Sequence, residues 1–580
     1  MPADALATYA KIYAVQQFEQ AVLCGLGSAA KGQPLLALAY FVNLVLEMRA
    51  ARTGDLEHLC KAKVMIIVLY VWRLPFMWDE DHWAVRADVA FLTAAVLTLR
   101  KTPSAETRPA VVAHASALIQ PVTVLFYTSS FFWKLNPHFL DTRGGCASIY
   151  MVTLLGSMLP EGFLLEAPSG QALLWLAAQA GPFLTIVGEA AIAVLLLFPP
   201  QYRFFRRVGV GLALLLHLAI AFTPEPFNVT EYSIVCVVRL FFFIPDAAHA
   251  ALVLLEQASV ASKLGLAAVA LGTGAINPNP LGVIGGPLYT ALTILYGLAL
   301  VLDARTADAP PAAPPLPDRA RLVAAKRLIG LESFAFCFLL LALGLADHGP
   351  SKPFANIRSS HGASNHLFAP LNLLPNALKA YSSAEYTLGG GVYRVDDSDA
   401  GLLNERFPGR IEQHAAKHVR LLKAANHTST IFSPASATII APFLAVPNTP
   451  GKGAFTRYTL PARELRRALH DLYAANGAPF YLEYAHLPDY TGEAGPGSGH
   501  APVARRVRVE HDGEGGAAVP PRCTVLTKGV LGLEARAPCP PDELALLPPT
   551  PWWSRKLMLA WPYPVLPGEE EGQRGFCHGE

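Results

Sequence analysis

From about Gln33 to Ala346 the chain alternates unbroken apolar runs with short connectors rich in Lys and Arg. Runs such as Ala172 to Phe198 and Leu281 to Leu302 reach or approach the roughly 20 apolar residues that a helix needs to cross ~30 Å of hydrocarbon. Helices are the required form, because each peptide group left unpaired in lipid costs several kcal/mol. The pattern predicts spans at Gln33–Leu46, Ala62–Trp78, Trp83–Leu99, Ala110–Trp133, Ala172–Phe198, Val208–Phe222, Tyr232–Leu255, Leu264–Ile276, Leu281–Leu302 and Leu328–Ala346. Residues 10–30 add a candidate helix lying in or partly through the membrane, and Leu264–Ile276 is short enough to be re-entrant, so the count is nine to eleven.

After Ala346 the pattern changes. Residues 350–580 alternate strand-like runs (Phe480–Tyr484, Val503–Val509, Cys523–Leu526) with two amphipathic helices, Arg410–Ala425 and Ala462–Ala475, between Pro/Gly turns. The second of these helices is packed by Leu465, Leu469 and Leu472. The expected architecture is a polytopic all-α membrane protein with a C-terminal soluble α+β or β-rich domain on the outer, lumenal or extracellular, side. Its parts are an amphipathic N-terminal segment 1–31, a transmembrane helical domain 32–348, the outer domain 349–566 and a flexible tail 567–580.

Composition sharpens this picture. Charged residues are 16% of the chain and mean hydropathy is +0.34, which argues against a soluble helical protein of this length. The formal charge of +2, with basic residues scattered among connectors, gives no reason to expect a nucleic-acid partner. The N-terminus lacks the basic flank and long apolar core of a cleaved signal peptide, so insertion relies on the first true span.

Four connectors carry the positive charge: Arg49, Arg52, Lys61 and Lys63; Arg100, Lys101 and Arg108; Arg203, Arg206 and Arg207; and Arg305, Arg319, Arg321, Lys326 and Arg327. Threading the spans in order puts all four on one side, the cytoplasmic one. The other side receives Asp79 to His82, Lys134 to Tyr150, Pro224 to Thr230 and everything after Ala346. Two glycosylation triplets, beginning at Asn228 and Asn426, fall there, as do Cys523 and Cys539, which could pair. Cys60 faces the cytoplasm, and the eight cysteines show no metal-ligand spacing. The segment Pro310–Pro317 reads as a stiff linker. No repeat of transporter halves is visible in the sequence, which argues against a secondary transporter.

Ionisable residues within or at the ends of the runs carry the chemical information, since each costs ~3 kcal/mol or more at mid-membrane unless paired or hydrated. They are Arg73, Arg86, Asp88, Lys134, Glu189, His217, Arg239 and Glu332. In the turn Trp78-Asp79-Glu80-Asp81-His82-Trp83, residues Trp78, His82 and Arg86 share one helical stripe; an aromatic and acidic interfacial belt is the plainer reading. In Phe131-Phe132-Trp133-Lys134-Leu135-Asn136-Pro137-His138, the lysine either snorkels to headgroups or sits in a dry pocket, where desolvation makes the neutral amine a usable base. His217, in mid-span, cannot snorkel as easily, and its plain reading is a histidine bonded to a neighbouring helix.

The run Phe126 to Leu140 resembles the aromatic-rich helix followed by Lys-Leu-Asn/Asp of the vitamin K-dependent gamma-carboxylases and of the wider group named for its horizontally transferred transmembrane domain. Three further segments agree in order: Trp78–Ala90, Gly188 to Phe222 with Glu189 and His217, and Pro353 to Arg358 followed by Ser364-Asn365-His366-Leu367. Together they cover about residues 35–370. The resemblance implies a membrane enzyme in which reduced vitamin K, or another quinone, reacts with oxygen to give a strong base that removes a proton from a peptide glutamate. By motif position Lys134 is the base toward the hydroquinone and His82 assists the carbanion chemistry. Trp78, Arg86, Trp133, Asn136, Glu189 and His217 would line the substrate pocket.

The sequence also departs from the family. A lysine pair is replaced by Trp133-Lys134, the residues before His82 are acidic, and no propeptide-binding exosite is recognisable in residues 370–580. The epoxidation half-reaction is therefore the better supported one. The implied partners are the bilayer, a lipophilic small molecule and a protein substrate, with no metal. The competing reading is a non-catalytic carrier or scaffold whose outer domain binds a partner, with the same ionisable residues serving as interhelical pairs.

Overall fold

The computed structural model describes residues 5–30, 33–73, 79–99, 107–140, 142, 145–223, 230–276, 280–305 and 319–339, and in the C-terminal part 359–360, 363–364, 366–368, 392–399, 410–411, 454–455, 458–461, 465, 469, 479–486, 505–512, 521–528, 534–540 and 563–564. The chain divides into two units. The first comprises Met1–Arg73, Met77–Phe132 and Leu184–Phe338; the second comprises Leu74–Phe76, Trp133–Phe183 and Leu339–Glu580. Residues 133–183 of the expected transmembrane domain thus group with the C-terminal portion.

The helices are α1 (Ala5–Gln20), continued by a π turn Ala21–Gly25 into α2 (Leu26–Ala30), α3 (Pro34–Thr53), α4 (Leu56–Arg73), α5 (Asp79–Leu99), α6 (Thr107–Trp133), α7 (Pro137–Leu140), α8 (Cys146–Met158), α9 (Glu161–Glu166) and α10 (Pro168–Leu197). They continue with α11 (Arg203–Ala221), α12 (Thr230–Leu240), a 3-10 turn Phe241–Phe243, α13 (Pro245–Gln257), α14 (Val260–Ile276), α15 (Pro280–Arg305) and α16 (Arg319–Phe334), which runs into a π turn Ala335–Leu339.

Among the described residues six helices are long and apolar enough to cross a membrane: Pro34–Thr53, Asp81–Leu99, Thr107–Trp133, Pro168–Leu197, Arg203–Ala221 and Ile284–Arg305. A seventh span exists if Thr230–Phe243 and Pro245–Gln257, bent by 109° at Ile244, count as one broken crossing. This is a multi-pass pattern, and the described residues hold fewer full spans than the nine to eleven expected; residues 74–78 and 340–346 of two expected spans lie outside them. Charge and length account for the difference. Residues 62–73 of the run expected at Ala62–Trp78 lie in α4, whose 18 residues include Glu57, Lys61, Lys63 and Arg73. That expected at Leu328–Ala346 begins in α16, which opens on Arg319 and Arg321 and also carries Lys326 and Arg327. Leu264–Ile276 falls in α14, which is apolar but short.

The arrangement of α3 shows what solvent these helices suit. Leu35, Leu38, Val45 and Met48 are exposed, while Asn43 and Glu47 are buried. A helix in water does the reverse; apolar out and polar in is the distribution for a helix surrounded by lipid. In the first unit α1 packs against α3, α12 and α13 and is buried over most of its surface, from Leu6 and Tyr9 to Gln16, Gln17 and Glu19, with the stripe Ala7, Lys11, Val15 and Phe18 left less covered. The expected amphipathic segment 1–31 therefore contributes an internal helix.

In the second unit a seven-stranded antiparallel sheet has the order β10-β9-β8-β7-β3-β6-β11, with β3 Val392–Ser398, β6 Tyr458–Pro461, β7 Phe480–His486, β8 Arg505–His511, β9 Arg522–Lys528, β10 Glu534–Pro538 and β11 Tyr563–Pro564. Two short pairs stand beside it, β1 (Ser359–Ser360) with β2 (Ala363–Ser364), and β4 (Arg410–Ile411) with β5 (Ala454–Phe455). The three strands expected from sequence are β7, β8 and β9. Along β7, Phe480, Leu482 and Tyr484 point into the core with Val507 and Val509 of β8, as the two-residue period of a strand requires. Leu465 and Leu469 are helical and complete that core, in keeping with the expected helix Ala462–Ala475; its other residues lie outside the described ones. The helix expected from Arg410 is corrected at its start, since Arg410 and Ile411 pair as strand β4 with Phe455 and Ala454. The remainder of that segment, Asn228, Asn426, Pro310–Pro317 and the tail 567–580 lie outside the described residues.

On the opposite side of β7, Glu483 is bonded by Arg506 and Arg508 of the neighbouring strand, each at 3.1 Å, and by the Tyr481 hydroxyl at 2.8 Å. Burial works to raise its pKa, but the hydrogen bonds from Tyr481 and Arg508 and the two guanidinium charges outweigh it and hold the carboxyl below its ordinary value. Cys523 and Cys539 form the disulfide that their positions allowed, tying the start of β9 to the chain just after β10.

Candidate functional site

The sequence-predicted residues fall into two groups, one in each unit. In the first unit α5 begins at Asp79, which places His82 in its first turn and Arg86 one turn later. His82 is 2% exposed. Its Nδ1 and the Tyr70 hydroxyl of α4 hydrogen-bond at 2.5 Å, and its ring packs 5.6 Å from that of Phe336. Arg86 is held on three sides: it donates to the His82 carbonyl at 2.9 Å and to Glu332 at 2.8 Å, and its guanidinium lies 3.2 Å from the Phe336 ring centre. A cation over an aromatic face, with a carboxylate at its end, is a stable way to keep a guanidinium at the edge of an apolar bundle. Trp78 lies outside the described residues.

An aromatic series connects this histidine to the other. Trp83 meets Phe336 at 6.0 Å and Phe126 at 4.9 Å; Phe126 meets Tyr127 at 5.3 Å and Tyr232 at 5.9 Å. Tyr127 and Nε2 of the wholly buried His217 hydrogen-bond at 2.7 Å, and Glu189 of α10, 4% exposed, lies within electrostatic reach of Tyr127. His217 is thus bonded to a neighbouring helix, as its plain reading anticipated.

In the second unit Trp133 ends α6 and Lys134 follows it into a tight turn. Lys134 is 3% exposed, and its Nζ lies 5.9 Å from the Phe139 ring centre. Asn136 shapes the turn. Its Nδ2 donates to the Trp133 carbonyl at 2.9 Å, and its Oδ1 accepts from the Phe139 amide at 2.9 Å, which caps the single turn α7. Expected as a substrate contact, Asn136 has its side-chain oxygen on that cap.

Sequence reasoning did not include His366 among the candidate site residues, although it lies in one of the segments that carry the family resemblance. The structure brings that segment to Lys134: the Leu367 amide donates to the Leu135 carbonyl at 3.0 Å, and the His366 ring stands edge-on to Trp133 at 5.2 Å. His366 is 5% exposed, and its Nδ1 accepts from the Phe368 amide at 3.1 Å. An Nδ1 that accepts carries no proton, so neutral His366 has its proton on Nε2. Trp133, Lys134, Phe139 and His366 form one buried cluster of an amine, an imidazole and two aromatic faces, a composition suited to proton transfer to or from an apolar substrate.

One charged group was misplaced by the sequence. Lys63, assigned to a cytoplasmic connector, is wholly buried in α4 and pairs with Asp88 of α5 at 2.7 Å. It also donates to Tyr9 at 3.0 Å and lies 3.4 Å from the Tyr13 ring centre, while the Tyr13 hydroxyl donates to Asp88 at 2.6 Å. A lysine beside a run of Val, Met and Ile reads as the edge of a connector; only the partner on α5 shows it to be interior.

A family model described as "Domain of unknown function (DUF8388)" matches residues 364–556, which include six of the seven strands of the antiparallel sheet. No curated protein and no solved structure matches the chain.

Proposed function

We propose that this chain is a multi-pass membrane enzyme acting on a quinone-like or other lipophilic substrate, with Lys134 as its base. The observation that carries the reading is the burial of Lys134, 3% exposed, at the end of an apolar helix. A snorkelling lysine would extend to the headgroups. This one is enclosed by protein, with its Nζ beside the Phe139 ring. The residues fit a hydroquinone: an enclosed amine, the aromatic faces of Trp133 and Phe139, and an imidazole with its proton on Nε2. Reduced vitamin K, when bound, supplies the hydroquinone that oxygen oxidises. Lys134 accepts a hydroxyl proton at Nζ, Trp133 and Phe139 keep water out, and His366 positions the substrate oxygen through Nε2–H. His82, bonded to Tyr70 in the first unit, keeps its place as the second candidate acid–base group.

The outer placement of the C-terminal domain has its support in cysteine chemistry. Cys523, Cys539 and the disulfide-bonded Cys146 all belong to the second unit, whereas Cys24, Cys60, Cys236 and Cys337, which are in no disulfide, belong to the first. Disulfides persist on the oxidising side of a membrane.

The carrier or scaffold reading draws on a different observation, the fully partnered pair of Lys63 and Asp88, whose role is interhelical. The test is epoxide formation from reduced vitamin K and oxygen by purified protein and by Lys134→Ala, with and without a glutamate peptide. We expect epoxide from the intact protein and at least a ~100-fold lower rate from the variant, the usual scale for removing a general base. No epoxide from well-folded protein would remove the vitamin K reaction and favour the scaffold.

A further inference from the structure

One turn apart on α3, Asn43 and Glu47 are 1% and 0% exposed. Among the described residues, both carboxyl oxygens of Glu47 and the amide oxygen of Asn43 have no hydrogen-bond partner. Three buried acceptors therefore share one side of the helix with no donor, a costly arrangement, and costliest for an ionised carboxylate.

The orientation of Asn43 is fixed by a directed chain. Its Nδ2 donates to Gln17 at 2.6 Å, Gln17 donates to Gln20 at 3.1 Å, and Gln20 donates to the Asp81 carboxylate at 3.3 Å. Every donor points toward Asp81, so the head of the chain, Asn43 Oδ1, faces the other way and requires a donor of its own. Residues four apart on a helix are neighbours, which puts Glu47 on the same side of α3 as that oxygen, one turn away.

Among the described residues, the charged and titratable groups around Glu47 leave it no cation of its own. Tyr13 acts on it from α1, Cys60 and Lys63 from α4, and Asp88 from α5. Lys63 is already neutralised by Asp88 in direct contact, and Arg239 of α12, which acts on Tyr13, donates to Gln16 and to the Val235 carbonyl. The ammonium of Lys63 in the same neighbourhood also disfavours a metal ion. A single proton satisfies what remains.

We propose that Glu47 is a proton-binding site in the helical unit: its carboxyl holds a proton at neutral pH, donates it to Asn43 Oδ1, and so completes the hydrogen-bonded chain that ends at Asp81. This site is independent of Lys134 and of any substrate. Infrared spectra of the purified full-length chain and of Glu47→Gln test it, read in the C=O stretch of protonated carboxyls, in H2O and D2O at neutral pH. We expect the wild-type-minus-variant difference to contain one carboxylic-acid band that shifts in D2O. A difference spectrum with no such band would show Glu47 ionised and overturn the proposal. Asn43→Val examines the same bond from its acceptor: the band should move to higher frequency when the acceptor is lost, and an unmoved band would also overturn it. If Glu47→Gln fails to fold, that second variant decides.

Discussion

Lys63 and Asp88 show how a charge is held in an apolar interior. Both side chains are wholly buried, and their pair is closed by two tyrosines, Tyr9 as acceptor from the lysine and Tyr13 as donor to the carboxylate. Removing one partner leaves the other charge buried and uncompensated, which costs about 3–5 kcal/mol, whereas replacing both by apolar groups of similar size is close to neutral. Lys63→Met alone should therefore lower the denaturation midpoint of the detergent-solubilised protein sharply, and Lys63→Met with Asp88→Leu should recover most of the loss. A double variant no better than the single one would mean that the tyrosine contacts, rather than charge balance, hold this site.

At the scale of elements, close approach of helices is bought with small residues. In the second unit, a Cβ at Gly181 of α10 would lie 2.7 Å from the Ala147 carbonyl oxygen and 3.1 Å from the Ser148 amide nitrogen of α8. Ser148 uses that approach to donate to the Ala178 carbonyl at 2.7 Å. Backbone cannot step aside cheaply, so Gly181→Ala should destabilise by about 1–3 kcal/mol, the cost of overpacking. Gly188, further along the same helix, would meet nothing within 4 Å; Gly188→Ala should be neutral or stabilising by up to ~1 kcal/mol. Thermal denaturation of the two variants side by side checks the sign, and equal losses would refute the packing argument. The bend of 109° at Ile244 has a sequence cause as well, since Pro245 follows it and cannot supply the amide that a continuous helix needs.

At the scale of the whole molecule, the proposed orientation draws on the basic connectors through charge retention and on the disulfides through redox compartment. In sealed vesicles with the cytoplasmic face outward, added protease should leave the sheet-bearing segment after residue 349 intact until detergent is added. Cleavage without detergent would place that segment on the cytoplasmic side and overturn the orientation.

The apolar runs, the change of composition after Ala346 and the alternation in Phe480–Tyr484 and Val503–Val509 were enough to establish apolar helices followed by a sheet, because hydrophobic period is a local property of the chain. The cysteine pair was legible for the same reason of simple proximity in a β-rich segment. What only the tertiary structure decided is which polar groups share an interior. Among the described residues, charges in α4 and at the start of α16 take those helices out of the apolar tally. Lys63 moved inside because its partner is on another helix. His366 came to Trp133 across more than two hundred residues of chain, and the unpartnered oxygens of Asn43 and Glu47 can be seen only once every possible donor has been placed. Pairing of buried polar groups is a relation between distant residues, and a single sequence records no distances.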